Sequence, residues 1–230
     1  MMEIFEFKDT FCCSLFKETK YNTSVRPNLL AKLFQKNVKI ECDFLAKNND
    51  KVQYVFAKQG IENSGVYIQN NSIIFELSLF HNSNNFSDNL IKNVYAFEYD
   101  KINSLVYEVD VDKQILRTIF NGELKETPFF EGKVSDYSNV PLWIGTSNPF
   151  VQNKNYFNGF IYKFVVEDKE GVVCDIDFTN VNRFKVLDKS ENGNHAYIEE
   201  YGNILLQERL NIQIAGNPLK SSTTLNQTLI

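Results

Sequence analysis

Proline and glycine are scarce in this chain, at 5 and 10 of 230 residues. That excludes collagen-like and low-complexity architectures, which need far more of both. Long hydrophobic runs are missing as well, so no membrane-inserted segment is expected. Basic runs are absent: 24 Lys and Arg stand against 29 Asp and Glu, giving a formal charge of -5 and a pI near 5.2. Phosphate backbones need a concentrated positive surface, so nucleic acid is excluded as the main partner. Only two histidines occur, His81 and His195. Neither has a Ser or Cys partner at nucleophile-elbow spacing, so no triad is readable. The phosphate-cradling patterns GxxxxGK[ST] and GxGxxG are absent, and no cofactor is expected from them.

Cysteine is sparse too. Cys12, Cys13, Cys42 and Cys174 show no metal-finger spacing, and the vicinal pair is poorly built for a disulfide; reduced, buried thiols are expected. Met1 to Ile4 leads into charge rather than an apolar run, so synthesis in the cytoplasm without a signal peptide is expected. On that reading the sequons at Asn22, Asn70, Asn85 and Asn226 reflect an Asn-rich composition, not glycan acceptors.

What the chain has in quantity is aromatic: 20 Phe and 11 Tyr, ample for a core between two sheets. Its length is ordinary for an all-β sandwich. The segment VKIECDFLAK alternates, with Val38, Ile40, Cys42 and Phe44 on one face and Lys39, Glu41 and Asp43 on the other. KVQYVFAK follows as a strand. A hairpin is expected from Gly65–Ile68 to Ser72–Phe80, turning at Asn70-Asn71. Residues 81–93 read as an Asn/Ser-rich surface loop. Strands are then expected at Val94–Tyr99, Leu105–Val111 and Ile115–Phe120, the last ending in an Asn121-Gly122 turn. Pro141 to Asp168 supplies a short strand, a polar loop and a long strand from Tyr156 to Glu167, rich enough in aromatic and β-branched residues to lie mid-sheet. Residues 1–37 read as an N-terminal arm or accessory strands, with a short helical stretch in NLLAKLFQ. Residues 203–230 read as a C-terminal extension. Their polar end frays unless held, so both termini are expected to meet other subunits of an oligomeric assembly.

Several motifs carry a resemblance. PLWIG (141–145), then FNGFIYKF (157–164) and DKEG (168–171), resemble the laminin-G-like modules of the concanavalin A-like superfamily. VDVDKQILRTIFNGEL (109–124) is similar to a hairpin of these modules, and DKSENGNH (188–195) to a turn found in them. The resemblance covers roughly 38–202 and implies an all-β jelly-roll sandwich of two antiparallel sheets. The motif order, with DKSENGNH near the end, resembles jelly-roll domains of phage virion proteins. It implies a non-enzymatic surface module of a virion or particle, partnered by other subunits and by surface glycans. A stand-alone carbohydrate-binding lectin is the alternative, with a glycoside hydrolase behind it.

Three candidate sites follow. Glu108, Asp110 and Asp112 fall at i, i+2 and i+4 and share a face if the strand persists. That resembles the acidic strand of retaining glycosidases, yet a solvated strand face explains it equally. Asp188, Asn192 and Asn194 carry oxygens of the kind Ca2+ takes, while Asx-turn chemistry explains them without a metal. If Leu142 and Ile144 face the core, Trp143 points away and offers its indole to a sugar ring or partner, unless a terminal extension covers it. Phe150 and Tyr156 are similar candidates in the adjoining loop.

Overall fold

Period-2 alternation dictates where this chain folds, because each alternating segment buries one face against another sheet. The computed structural model describes residues 6–7, 11–15, 33, 36–59, 63–80, 90–129, 133–134, 142–147, 155–182, 185–190, 192–200, 213–214 and 217–218. In chain order the strands are β1 Glu6–Phe7, β2 Phe11–Leu15, β3 Val38–Ala46, β4 Gln53–Gln59, β5 Asn63–Gln69 and β6 Ser72–Phe80. They continue as β7 Leu90–Ala96, β8 Ile102–Asp110, β9 Ile115–Phe120, β10 Glu123–Pro128, β11 Lys133–Val134 and β12 Leu142–Ile144. The series ends with β13 Gly159–Asp168, β14 Gly171–Asn182, β15 Lys185–Asp188, β16 Ala196–Glu200, β17 Gln213–Ile214 and β18 Asn217–Pro218.

One hydrogen-bonded path runs β10-β9-β8-β3-β13-β14-β15-β16-β2-β12-β4-β5-β6-β11, with β1 on β13 and β7 on β6. Every pairing along it is antiparallel. The path doubles over into a sandwich. One layer is β10-β9-β8-β3-β13-β14, the other β12-β4-β5-β6-β7, and β15, β16 and β2 join them. This is the all-β jelly roll of two antiparallel sheets that the motifs imply.

Aromatic rings fill the space between the layers. Phe56 of β4 meets Tyr107 of β8 at 5.7 Å and Phe164 of β13 at 5.6 Å, both edge-on. Phe75 of β6 stacks on Tyr107 at 6.5 Å. Edge-on and offset pairs add about 0.5–1.5 kcal/mol each beyond simple burial. The Tyr107 hydroxyl, buried with its ring, donates to the Glu76 carbonyl oxygen at 2.9 Å. Its polar end is thereby satisfied across the sandwich.

The turns fall where local chemistry demands them. Asn70, Asn71 and Asn121 have φ of 50°, 55° and 48°, and Gly122 has 89°, the left-handed backbone of tight hairpins. Two boundaries differ from expectation. β7 starts at Leu90, inside the segment read as loop, because Ile91 pairs opposite Leu77. Asn93 points at the core yet is satisfied there by Thr118 and Thr127. The long strand starts at Gly159, not Tyr156: Phe157 reaches the core from the preceding loop, its N–H donating to the Gly145 carbonyl at 2.8 Å. Near the N-terminus β2 is a full strand, hydrogen-bonded to β12 on one side and β16 on the other. The helical stretch expected in NLLAKLFQ falls almost wholly outside the described residues.

Gly159 sits where β13 passes closest to β3, and a Cβ there would lie 2.0 Å from the Leu45 carbonyl oxygen. That oxygen belongs to a paired strand and cannot swing aside. Gly159→Ala is therefore expected to cost about 3 kcal/mol in urea unfolding. Gly122→Ala, strained in φ but open around its Cβ position, costs less; equal losses would contradict this packing.

Candidate functional site

The sandwich has two outward faces, and their chemistry differs sharply. On the β3 layer, one cross-strand row alternates in sign: Glu167, Lys39, Glu108, Arg117 and Glu126 stand opposite one another across β13, β3, β8, β9 and β10. Arg117 Nη1 donates to both Glu108 oxygens at 3.1 Å, and its Nε donates to Glu126 at 2.6 Å. Lys39 bridges Glu41 and Glu167, and Lys163 also pairs with Glu41. The Lys163 and Lys39 hydrogen bonds hold the Glu41 carboxyl below its usual range. Opposite charges directly across strands stabilise a sheet modestly and leave it solvated.

The three carboxylates of 108–112 belong to this face, but not as a set. The strand ends at Asp110, so Asp112 lies in the Val111–Gln114 turn rather than at the i+4 position of a strand. Each acid has its own cation: Arg117 for Glu108, Lys113 for Asp110 and Lys169 for Asp112. Burial raises the Asp110 carboxyl, yet the Lys113 N–H and ammonium outweigh it and leave the net shift downward. The Asp112 carboxyl is lowered chiefly by Lys169.

The outward face of the other layer is aromatic. Trp143, Ala57, Gly65, Glu76 and Lys92 form one cross-strand row over β12, β4, β5, β6 and β7. Tyr54, Tyr67, Ile74 and Val94 form the next. As expected from alternation, Leu142 and Ile144 enter the core while Trp143 points away. Trp143 nevertheless shows only 2% of its surface, packed with Tyr156 at 5%. Both expected stacking platforms are thus covered, although Trp143 lies on the outward side of β12. Phe150 lies outside the described residues.

Beside the Trp143 row lie Tyr54, half-buried, and Tyr67, 8% exposed. Those two rings lie 5.1 Å apart, tilted by 34°. The Tyr67 hydroxyl donates to Glu76 Oε2 at 3.2 Å, and Lys92 Nζ approaches the same oxygen at 3.0 Å. Burial and the Glu76 charge push the Tyr67 phenol up, and the Glu76 hydrogen bond raises Lys92. Val94, 46% exposed, and half-buried Ile74 continue the apolar surface. This constellation spans four strands, so it emerges only once register is known. The one local signal was Glu76, a lone acid inside the otherwise apolar SIIFELSLF.

The Asp188–His195 turn is tied by its own hydrogen bonds. Asp188 Oδ1 accepts from the N–H groups of Asp175 and Ser190 at 2.8 and 2.9 Å. Oδ2 accepts from Ser190 Oγ at 2.7 Å and from the Asn194 N–H at 2.8 Å. Asn192 and Asn194 turn their amide nitrogens, not their oxygens, onto the Val172 and Val173 carbonyls. His195 Nδ1 accepts from the Asp188 N–H at 3.0 Å. Both Asp188 carboxylate oxygens are thus engaged by donors, while Asn194 Oδ1 is buried without a partner among the described residues. Among the described residues no group of three His, Cys, Asp or Glu stands together to hold a metal. Burial pushes the Cys42 and Cys174 thiols up, as expected of inert core cysteines.

No protein-family model matches the chain, and no curated protein matches it. Solved structures do. A putative carbohydrate binding protein from Bacteroides ovatus superposes with a TM-score of 0.53 at 10% identity, over 86% of this chain and 60% of that one. Domains LG4-5 of the mouse laminin alpha1 chain give 0.49 at 10% identity, over 88% of this chain. This chain spans about half of that laminin fragment, 48%. The CBM40 of Ruminococcus gnavus IT-sialidase gives 0.49 at 16% identity, over 72% of this chain and 91% of that one. Topology and the Bacteroides likeness together define the fold: an all-β jelly-roll sandwich of two antiparallel sheets.

Because Asp188 is buried and accepts four hydrogen bonds, Asp188→Ala leaves donors on β14 and in the turn unmatched. A loss of about 3 kcal/mol is expected in urea. In the wild type, neither millimolar Ca2+ nor a chelator is expected to move Tm; a rise with Ca2+ would contradict the donor assignment.

Proposed function

We propose that this domain is a non-enzymatic glycan-binding module that works at the surface of a larger particle. The observation that carries the reading is the Tyr54–Tyr67 pair beside the Glu76–Lys92 ion pair on the outward face of β4–β7. Sugar rings present apolar C–H faces and hydroxyl edges, and recognition needs flat aromatic surface next to fixed donors and acceptors. This face combines them; the opposite face is mainly a charge ladder, with the half-buried Phe160 and Tyr162 stacked on it at 6.4 Å.

The non-enzymatic part is supported by the carboxylates. Glycoside hydrolysis uses two carboxyl groups facing one bond, one of them held protonated. Glu108, Asp110 and Asp112 each bind a separate cation, and the shifts of Asp110 and Asp112 favour their charged forms. Trp143 and Tyr156 lie on the same side of the layer but are covered, so they offer no stacking surface. The particle setting, with neighbouring subunits contacted through both termini, is part of the proposal and rests on the motif order in the sequence.

The test is a glycan array with the wild type and Tyr54→Ala. Binding to a defined subset of glycans is expected, weakened about tenfold or more by the loss of one stacking ring. Wild-type binding unaffected by Tyr54→Ala would move the site off this face, and measurable glycan cleavage would overturn the non-enzymatic reading.

A further inference from the structure

One strand of the charged layer is mostly apolar on both sides. β9 buries Leu116, Thr118 and Phe120 and turns Ile115, Arg117 and Ile119 outward, all three half-buried. A strand written that way fits a position covered on both faces. Beside it the last strand of the layer, β10, turns Leu124, Glu126 and Pro128 outward, all exposed, Leu124 by 54%. Register sets these three opposite Ile119, Arg117 and Ile115. The two columns each read apolar, charged, apolar, with a cation in one and an anion in the other. We infer that this face of β9 and β10 docks on the same face of a second copy of the chain, about a two-fold axis running along the strands between the columns.

That axis sets Ile119 on Leu124 of the second copy, Arg117 on its Glu126 and Ile115 on its Pro128, and every contact occurs twice. The pattern is its own complement, as an isologous contact requires. An axis through Arg117 itself would bring like charges together, so charge selects the register. In the single chain the charged row stands in water, and its members have bonding capacity to spare. Arg117 spends Nε on Glu126 Oε1 and Nη1 on Glu108. A guanidinium carries five N–H donors, so Nη2 serves Oε2 of the second copy's Glu126. Charges that stay paired limit the cost of covering them, while the apolar rows on either side supply the gain of burial. Pairing through the β10 edge is unsuited: Lys125 and Thr127 already reach from it to the Val94 carbonyl and Asn93. Face-on packing of sheets keeps those contacts. The Tyr54–Tyr67 face belongs to the other layer and stays outward in both copies, whether or not a sugar binds there.

The experiment is sedimentation velocity of the whole chain over a concentration series, with circular dichroism checking the fold of each variant. A reversible monomer–dimer equilibrium is expected, weakened about tenfold or more by Leu124→Lys, which places a charge in an apolar row. Arg117→Glu and Glu126→Arg, each alone, set like charges across the axis and are expected to stay monomeric. Mixed in equal amounts, the two variants bring opposite charges together at both contacts, and dimers are expected to return. A purely structural role of either residue would not bring them back. Should Leu124→Lys fail to fold, the mixture reads the same contact. A wild type that stays monomeric throughout the series overturns the inference, as does a dimer that Leu124→Lys leaves intact. A mixture no more dimeric than its components overturns the two-fold register.

Discussion

The interdigitation of aromatic rings between the two layers is the constraint on which the rest depends. Phe56, Phe75, Tyr107 and Phe164 come from four strands and two layers, and each touches a ring from the opposite sheet. Rings of that size fix the distance and rotation of one sheet over the other, because close-packed interiors transmit any misfit. Once the layers are set, alternation leaves no freedom about which side chains look outward. The two outward faces follow from the same rule: one carries the charge ladder with the Phe160–Tyr162 stack beside it, the other carries Tyr54, Tyr67 and the covered Trp143.

The division of labour between the faces has an energetic logic. The row from Glu167 to Glu126 keeps its charges in water, paired across strands, where each contributes little and discourages edge-to-edge association. On the other face Glu76 is largely covered, and an uncompensated carboxylate there would be costly. Tyr67 and Lys92 offset that cost, both through Oε2. Polar groups held ready beside flat apolar surface are what recognition of sugars requires, and they sit on paired strands instead of loops. A site on strands is pre-organised, so less ordering opposes binding.

Local chemistry made much of this fold legible in the sequence. The alternation of β3, the Asn-Gly turn and the dense apolar run of β13 each need only a few neighbouring residues to be read. The segment 90–93 was not legible, because Asn93 is polar by composition and acquires its inward place only through Thr118 and Thr127 on distant strands. Asp112 misled for a related reason. Period-2 spacing puts it beside Glu108 only while the strand lasts, and the strand stops two residues earlier. Trp143 was read correctly as pointing away from the core, but its covering depends on tertiary packing. The Tyr54–Glu76 surface lay beyond sequence reasoning because its members meet through cross-strand register.

The central claim, that the aromatic outward face is where a sugar sits, is tested most directly by residue-resolved amide shift mapping during titration with a bound oligosaccharide. The account predicts that perturbed amides cluster at Tyr54, Tyr67, Ile74, Glu76 and Lys92, with the row from Glu167 to Glu126 and the Asp188–His195 turn unmoved. Perturbations centred on Glu108 and Arg117, or on Asp188 to His195, would contradict it.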